Sequence, residues 1–536
     1  MSIFSTLNTA TGGLQTQSYA VQTASHNIAN ANTEGYSRQR VNLEALPANT
    51  FSGVGQIGAG VNIIDVRRIR DEFLDAQIRS EKAIKGSNMV KQEVLEQLEV
   101  IFLEPSDTGV NEYLSKFWDS WQQLVNYPEA KTSRTAVAET SQTLAQKLND
   151  MSRQIKNLQQ NTITNITSNA YSANNILEEI QDLSDQIYRM TNRGLYPNDL
   201  YDRRDLFLDQ LSSLIDIKVE YDTGERVKIT DRDSGTLLLD YPTRSLIPMD
   251  ISVVKNVETS ADGTQTMVIN RGGDVTQAVT MVMSGTSFKE GDVVYISNED
   301  WNQFDEDGTQ PQLNRLEQVK GELAGGMQVL ERTNVYNAQL DTFAHALVET
   351  INFIHRDGES GLDLFTSSDG DAYIKASNIK VHDNIMKDST LINAAKTGSS
   401  GDSLRALAIN NLRYLSLDMR IKIEDDGDGY KLSDYLASNY DPDTMSFNNN
   451  DVGNTVGDYY NDIVVKLGID AQQAFQGVKN QTTLLMQLEE RKESISGVSV
   501  DEEAINLIKF QNAYQANARV ISTLTEMLDT LLSIRR

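Results

Sequence analysis

Apolar residues recur every seven positions near both ends of the chain. The N-terminal seam comprises Leu7, Leu14, Val21 and Ile28, and the C-terminal seam comprises Val500, Leu507, Tyr514, Ile521 and Leu528. A seven-residue period is typical of helices that pack along another helix. We therefore predict a helix at each end of the chain, and we expect the two helices to pack together or against neighbouring subunits.

The N-terminal seam is weak for a helix that has to fold alone. Gly12 and Gly13 interrupt it, and each glycine disfavours a helix by about 1 kcal/mol relative to alanine. An isolated helix without a partner for its seam is marginal in water. We therefore expect this helix to be disordered in the free molecule and to fold on assembly, and the C-terminal helix to follow if it is the partner.

The middle of the chain predicts long helices and one β-rich region. Five segments without an internal proline carry apolar residues mostly at steps of three, four or seven: 69–102, 132–192, 200–215, 323–354 and 460–488. Short β-rich runs follow one another between 217 and 318, some of them separated by Asp-Gly, Gly-Gly or Glu-Gly pairs. These runs are 217–220, 226–230, 237–239, 251–254, 267–269, 279–283 and 293–296. Such spacing predicts a small all-β domain.

The predicted fold class is α+β. A long α-helical coiled-coil or bundle core is formed by both termini and the flanking helices, and an all-β domain is inserted into it. The predicted domains are a terminal helical domain (1–67 and 496–536), a rod-like helical domain (68–216 and 319–495) with a small irregular insertion at about 357–454, and an all-β domain (217–318).

Charge and composition narrow the function. Acidic residues number 76 and basic residues 48, so the formal net charge is -28. Binding to nucleic acid or to an anionic membrane needs a basic surface, and this balance argues against both partners. The absence of cysteine excludes disulfides, thiolate metal sites and cysteine nucleophiles. Residues 1–33 carry no Asp, Glu, Lys or Arg and no continuous apolar core, so we expect no cleaved secretory signal.

The sequence shows no set of reactive side chains. His345 and His355 are ten positions apart, so they do not share a helix face as metal ligands would. Residues 53–58 match Gly-x-Gly-x-x-Gly, but dinucleotide binding needs a preceding strand and a following helix, whereas here a loop precedes and a strand follows. The acidic segment 424–429 resembles the start of a calcium loop without its bidentate glutamate. We predict no catalytic residue, no cofactor and no metal site.

The most informative segment follows the N-terminal seam. It has the pattern Asn-x-x-Asn-x-x-Thr-x-Gly-Tyr and continues into Ser-Arg-Gln. Its motif residues are Asn27, Asn30, Asn32, Thr33, Gly35 and Tyr36. Asparagine side chains can close turns on the backbone, and Gly35 allows a positive φ. The segment resembles the N-terminal signature of the bacterial flagellar axial proteins, which are the rod, hook and hook-associated proteins.

The C-terminal tail narrows this resemblance. Residues 498–504, 510–521 and 526–532 are similar to the tail of the hook-associated protein 1 family, the first hook–filament junction proteins. Further similar stretches are 117–126, 203–219 and 321–352. The β insertion and residues 357–454 carry no specific resemblance.

The resemblance implies a non-enzymatic structural adaptor that joins the hook to the filament. Copies of the chain would form a ring at the distal end of the hook, with the terminal domain as an inner tube and the β domain outermost. The implied partners are other copies of the chain, the flagellar hook protein, the second hook–filament junction protein and a cytoplasmic export chaperone. The implied location is extracellular, on the flagellum, after export through the flagellar type III channel.

Two alternatives stay open on the sequence. Another flagellar axial component, such as a hook or distal rod protein, would share the terminal signals. A secreted adhesin or enzyme would instead carry a ligand site on the β insertion, and the isolated segment 217–318 would then show saturable ligand binding or a calcium-dependent thermal shift.

Overall fold

The computed structural model describes residues 3–51, 55–102, 106–222, 226–241, 247–285, 287–317, 319–357, 361–416, 432–447 and 453–534. The α-helices in these ranges are α1 (Ile3–Ala29), α2 (Glu72–Phe102), α3 (Val110–Asn126), α4 (Lys131–Thr191), α5 (Asn198–Leu214), α6 (Asn298–Asp307), α7 (Glu322–Arg356), α8 (Asp383–Lys387), α9 (Leu404–Asn411), α10 (Leu432–Asn439), α11 (Val456–Ser496) and α12 (Val500–Ile534). Each helix predicted from apolar spacing is present. Most ends lie within four residues of the expected positions, whereas α11 continues to Ser496, eight residues beyond the predicted end at 488.

The β-strands pair within short sheets that interrupt the helices. They are β1 (Gln39–Ala45), β2 (Asn49–Phe51), β3 (Gly55–Ile57), β4 (Val61–Arg68), β5 (Ile217–Asp222), β6 (Arg226–Asp231), β7 (Leu237–Tyr241), β8 (Met249–Thr259), β9 (Thr264–Asn270), β10 (Ala278–Ser284), β11 (Val293–Ser297), β12 (Asn314–Arg315), β13 (Phe365–Ser367), β14 (Ile379–Val381), β15 (Tyr440–Asp441) and β16 (Ser446–Phe447). The α+β fold class, mostly helical with inserted sheets, is confirmed.

In its described residues, the β insertion contains two sheets and one α-helix. Strands β5, β6 and β7 form an antiparallel sheet, and a second antiparallel sheet has the order β10-β9-β8-β11-β12. Helix α6 begins after Ser297, whose Oγ accepts a hydrogen bond from the Asp300 amide at 3.0 Å, as an N-cap serine does. Trp301 on α6 is buried in the core of the five-stranded sheet. The sequence expectation of strands alone omitted this helix.

The described chain divides into two compact units. The first comprises Met1–Ser87, Thr167–Ala324 and Lys479–Arg536, and the second comprises Asn88–Ile166 and Gly325–Val478. The described residues of the second unit share a large hydrophobic core, in which Phe117, Trp121 and Tyr460 are almost fully buried. Phe365 and Ile409 belong to the same core, so the described part of the insertion at 357–454 packs on the helices of this unit.

His355 fixes this insertion to the end of α7. Its imidazole is buried, with Nδ1 2.7 Å from the carbonyl oxygen of Leu362, and Nε2 accepts a hydrogen bond from the Asn393 amide at 3.1 Å. These two contacts require the neutral ring, with the proton on Nδ1. Burial, with the nearby Arg405 guanidinium, lowers the pKa of His355 to about 4, against the hydrogen bond to Leu362 that raises it.

We expect this histidine to make the second unit less stable as the pH falls from about 6.5 to 4. The unfolded chain binds a proton near pH 6.5 and the folded chain only near pH 4, so the free energy of unfolding falls by about 3 kcal/mol across this window. Urea unfolding at pH 7.5 and pH 4 measures the change. His355→Gln should lose this part of the pH dependence, whereas His382→Asn should keep it; equal slopes in all three proteins would contradict the assignment.

The β insertion is fixed to α4 through two close contacts within the first unit. A Cβ on Gly273, whose φ is +71°, would lie 2.4 Å from the Tyr171 amide nitrogen, so only glycine permits this approach. The Asn174 side chain accepts a hydrogen bond from the Ile251 amide at 3.1 Å and donates one to the Ile251 carbonyl at 2.9 Å. The asparagine thus pairs with β8 as a neighbouring strand would.

The structure describes part of the Gly-x-Gly-x-x-Gly segment and none of the acidic segment at 424–429. Of the Gly-x-Gly-x-x-Gly segment, residues 55–57 form β3, which pairs with β2, while residues 53 and 54 lie outside the described ranges. The segment is followed by β4, as expected, and not by a helix. The acidic segment 424–429 also lies outside the described residues. Among the described helices, none is both long and apolar enough to cross a membrane.

Candidate assembly interface

Helix α1 packs along α12 through a stripe of small side chains. The buried residues of α1 are Ala10, Gly13, Thr16, Ala20, Ala24 and Asn27. A Cβ on Gly13 would lie 3.0 Å from the Asn517 side chain of α12, which shows how closely the two helices approach. Side-chain size sets the distance between packed helices, so small residues occupy the contact itself.

The predicted seam residues take several positions in this helix pair. Leu7, Leu14, Val21 and Ile28 are half-buried beside the small stripe, and Leu507, Ile521 and Leu528 are half-buried on α12. Val500 and Tyr514 are exposed, and the buried positions of α12 are Glu503 and Leu524. The role of the seam in assembly remains a prediction.

Helix α12 also carries large apolar side chains that the rest of the described chain leaves substantially exposed. Those exposed by at least 43% are Val500, Ile505, Ile508, Val520, Met527, Leu531 and Leu532. On α1, Phe4 and Tyr19 are exposed in the same way. The number of large apolar side chains exposed on this one helix makes α12 a candidate interaction surface.

Asn27, the first residue of the sequence motif, forms four of its hydrogen bonds. Its Oδ1 accepts hydrogen bonds from the Gln39 amide at 2.9 Å and the Tyr36 hydroxyl at 2.8 Å. Its Nδ2 donates to the Gln39 carbonyl at 2.9 Å and to Oε2 of Glu503 at 3.3 Å. One buried amide therefore joins the end of α1, the start of β1 and the first turn of α12. Burial, together with nearby carboxylates such as that of Asp199, raises the pKa of Tyr36, so its hydroxyl remains a donor.

The remaining motif residues shape the turn after α1. The Thr33 amide donates to the Asn30 carbonyl at 2.9 Å, and the Asn30 side chain donates to the His26 carbonyl at 3.0 Å. Gly35 has a φ of +76° and lies against Leu206, which explains the glycine at this position. Asn32 is exposed. The structure thus brings together all of the motif residues except Asn32 in one hydrogen-bonded turn or its immediate contacts.

The segment after the motif connects to two further helices. Ser37 is buried, and its amide and hydroxyl donate to the two carboxylate oxygens of Asp202 on α5, at 3.0 and 2.7 Å. The Arg38 amide donates to the Ser496 carbonyl at the end of α11, and its guanidinium pairs with Glu502 at 3.1 Å. The motif therefore fixes the root of the terminal helix pair, which is the end of α1 at Asn27 together with the first turn of α12, to α5 and α11.

A buried ion-pair network lies below this root. Asp205 on α5 accepts contacts from Arg68 at 2.5 Å, Arg70 at 3.1 Å and Arg79 at 3.1 Å. The Tyr221 hydroxyl donates to the same carboxylate at 3.1 Å. Further pairs are Arg70 with Asp75, Arg79 with Asp209, and Lys492 with Asp75 and Asp209. The network joins α2, α5, α11 and the chain after β4.

Burial and the arginines act in opposite directions on these acids. Burial alone would raise the pKa of Asp205, but Arg68, Arg70 and Arg79 outweigh it and hold the pKa well below its usual range. The pKa values of Asp75 and Asp209 are lowered in the same way. At Asp202 burial outweighs Arg68 and Ser37, so its pKa is raised. The carboxylates of Asp75, Asp205 and Asp209 are therefore charged at neutral pH and hold the helices together through their ion pairs.

Comparisons with known proteins agree with the motif. Residues 95–370 match the family model described as flagellar hook-associated protein FlgK helical domain. Residues 7–36 match the flagella basal body rod protein model, and residues 493–534 match the flagellar basal body rod FlgEFG protein C-terminal model. Flagellar hook-associated protein 1 of Bacillus subtilis (strain 168) is 32% identical over 553 residues, which cover 99% of this chain and 98% of that protein.

The chain belongs to the flagellar hook-associated protein 1 family. Its relatives of the same name in Salmonella typhimurium and Escherichia coli K12 are each 25% identical, over 99% of this chain and 100% of theirs. The solved flagellar hook junction protein FlgK from Burkholderia pseudomallei matches with a TM-score of 0.51 at 13% identity, over 78% of this chain and 100% of that one, and shows the shared fold. Members of the hook-associated protein 1 family are structural and not enzymatic, so this protein is a structural, extracellular component of the bacterial flagellum.

Reasoning from the sequence missed the partners of the motif. Ser37, Asp202, Asp205 and Glu503 are buried and hold the root of the terminal helices, yet none of them was predicted as a site. One signal was available: α5 carries Asp199, Asp202, Asp205 and Asp209 at steps of three and four, which places their carboxylates on one helix face.

Proposed function

We propose that this protein is the adaptor between hook and filament, and that its copies assemble as a ring through α1 and α12. The observation that carries the ring is the apolar surface of α12 that the described chain leaves uncovered. Removing apolar surface from water lowers the free energy, so contacts that cover these side chains stabilise the assembly. The exposed apolar residues lie between Val500 and Leu532 of this 35-residue helix, as expected for a helix that other subunits contact.

The small stripe supports coupled folding of the terminal helices. Ordering a residue costs roughly 1–2 kcal/mol in backbone entropy, and α1 has 27 residues. Burying a methyl or methylene group returns only about 0.8 kcal/mol, and the buried stripe of α1 consists of Ala, Gly, Thr and Asn. Contacts with neighbouring copies would supply the remaining free energy needed to order the helix. The root at Asn27 is anchored, so the parts distant from it are those that would order on assembly.

The partners are proposals of the same kind. The hook protein and the second junction protein would lie on the two sides of the ring. A cytoplasmic chaperone would cover the exposed apolar face of α12 before export. We also propose the domain division given above, with residues 1–67 and 496–536 as the inner layer of the ring. The absence of cysteine is compatible with export of an unfolded chain, since no disulfide has to be broken.

Deletion of the gene tests the proposed role. We expect cells with bare hooks and flagellin released into the medium as monomer, seen by electron microscopy of the cell surface and by assay of the medium. Reintroducing the gene should restore filaments. Missing hooks would assign the protein to the hook or rod instead, and normal filaments would overturn the junction role.

A further inference from the structure

A groove beside the motif is lined by both terminal helices and by β1. It encloses a cavity of about 350 Å³, and its walls include Gln17, Arg38, Leu43, Asn506 and Phe510. Two buried polar atoms on these walls have no hydrogen-bond partner among the described residues: Oε1 of Gln17 and Nε of Arg38. Buried polar groups are nearly always paired in native proteins. We therefore expect a further polar group to enter the groove and to form hydrogen bonds with these two atoms.

The two unpaired atoms specify the chemistry of that group. Oε1 of Gln17 needs a donor and Nε of Arg38 needs an acceptor. A carboxamide supplies both from one side chain. A carboxylate could serve only Arg38, which already pairs with Glu502, and it would leave the Gln17 oxygen without a donor.

The exposed face of α1 carries such amides in a row. Asn8, Gln15 and Gln22 are seven positions apart and exposed, and their side chains make no hydrogen bond within the described part of the chain. A seven-residue spacing keeps them on one side of a packed helix. Helix α1 contains no Asp, Glu, Lys or Arg. Two copies of a chain with a net charge of -28 repel each other least where one presents this uncharged face.

We propose that the groove receives the amide-bearing face of α1 from a neighbouring copy of this chain. The inference rests on the proposed ring and names the two surfaces that meet in it. Each copy offers one groove and one amide row at different places, so the contact is head-to-tail and can close into a ring.

Disulfide trapping tests the contact, because the chain has no cysteine of its own. Leu43→Cys in the groove is combined in turn with Phe4→Cys, Thr11→Cys or Ser25→Cys, which leave all three amides intact. The full-length variants are expressed in the deletion strain, and hook–filament structures are isolated and oxidised. We expect a ladder of covalent multimers from at least one pair, and none from single variants or from Leu43→Cys with Asn302→Cys on α6.

The possible results distinguish failure of the proposed groove contact from failure of the proposed junction role. Filaments without any ladder, or with only intramolecular disulfides, would overturn the groove contact and leave the junction role intact. Failure of the wild-type gene to restore filaments would overturn the junction role itself. Gln17→Met, which removes the unpaired acceptor, should leave the melting temperature of the free protein unchanged and weaken each contact between copies about tenfold, the effect of roughly one lost hydrogen bond, so that fewer filaments form per cell. Normal filament numbers would contradict the contact.

Discussion

Replacing Asp205 with alanine is expected to lower the free energy of unfolding of the first unit by about 3–5 kcal/mol. The carboxylate is 3% exposed and neutralises Arg68, Arg70 and Arg79 at once. Its removal leaves buried guanidinium groups without their shared counter-ion, and the cost of that burial is the reason for the large effect. Scanning calorimetry should show the transition of this unit shifted down by roughly 10 °C.

Two further variants make this test specific. Asp205→Asn keeps the shape and removes the charge, so it should destabilise the unit nearly as much as alanine does. Glu220→Ala removes an exposed pair with Lys218 in the same unit and should leave the transition where it is. A shift below about 2 °C for both Asp205 variants would show that the arginines do not depend on this carboxylate.

Ile521→Asp is expected to abolish assembly of the junction while the rest of the molecule stays folded. Ile521 is half-buried on α12, in the segment furthest from the root at Asn27, where neighbouring copies would supply most of the contacts. A charge there has to be desolvated in every copy of the ring, at a cost that the small stripe cannot offset. Cells carrying the variant should show bare hooks, and the far-UV circular dichroism of the purified protein should change little.

Ser522→Asp is the matched control. It places the same charge one residue further along α12, at an exposed position, and should allow filaments to form. Wild-type filament numbers with Ile521→Asp would refute the role of the seam. Loss of filaments with both variants would point to the added charge and not to the seam.

The long helices were predictable because their apolar period is long and regular, whereas α3, α6, α8, α9 and α10 were not among the predicted helices. The strands between 217 and 318 were predictable because β-rich runs alternate with turn residues. Only one of the two paired strands β1 and β4 could be predicted. The sequence of β4 is β-rich, whereas β1 (Gln39–Ala45) contains several polar and charged residues. Strands β13 and β14 have three residues each, too few for any period to be recognised.

The small stripe shows why a seam alone does not define a contact. Leu7 and Leu14 are large and therefore stand out in the sequence, yet Gly13 and Ala24 are the more deeply buried. Both sets keep helical spacing, so periodicity cannot rank them. The contacts of Asn27 with Glu503, and of Ser37 with Asp202, join residues far apart in sequence. A single sequence holds no signal for such pairs beyond the residue types themselves.

Hydrogen exchange of the terminal helices, compared between the free protein and the assembled junction, shows whether these helices fold on assembly. We expect amides in residues 3–20 and 510–534 to exchange at close to unstructured rates in the free protein, and about 100-fold more slowly in isolated hook–filament structures. Amides around Asn27 and in α5 should be protected in both samples. Equal protection of the terminal helices in both states would contradict folding on assembly, and unprotected terminal helices in the junction would contradict their role in the ring.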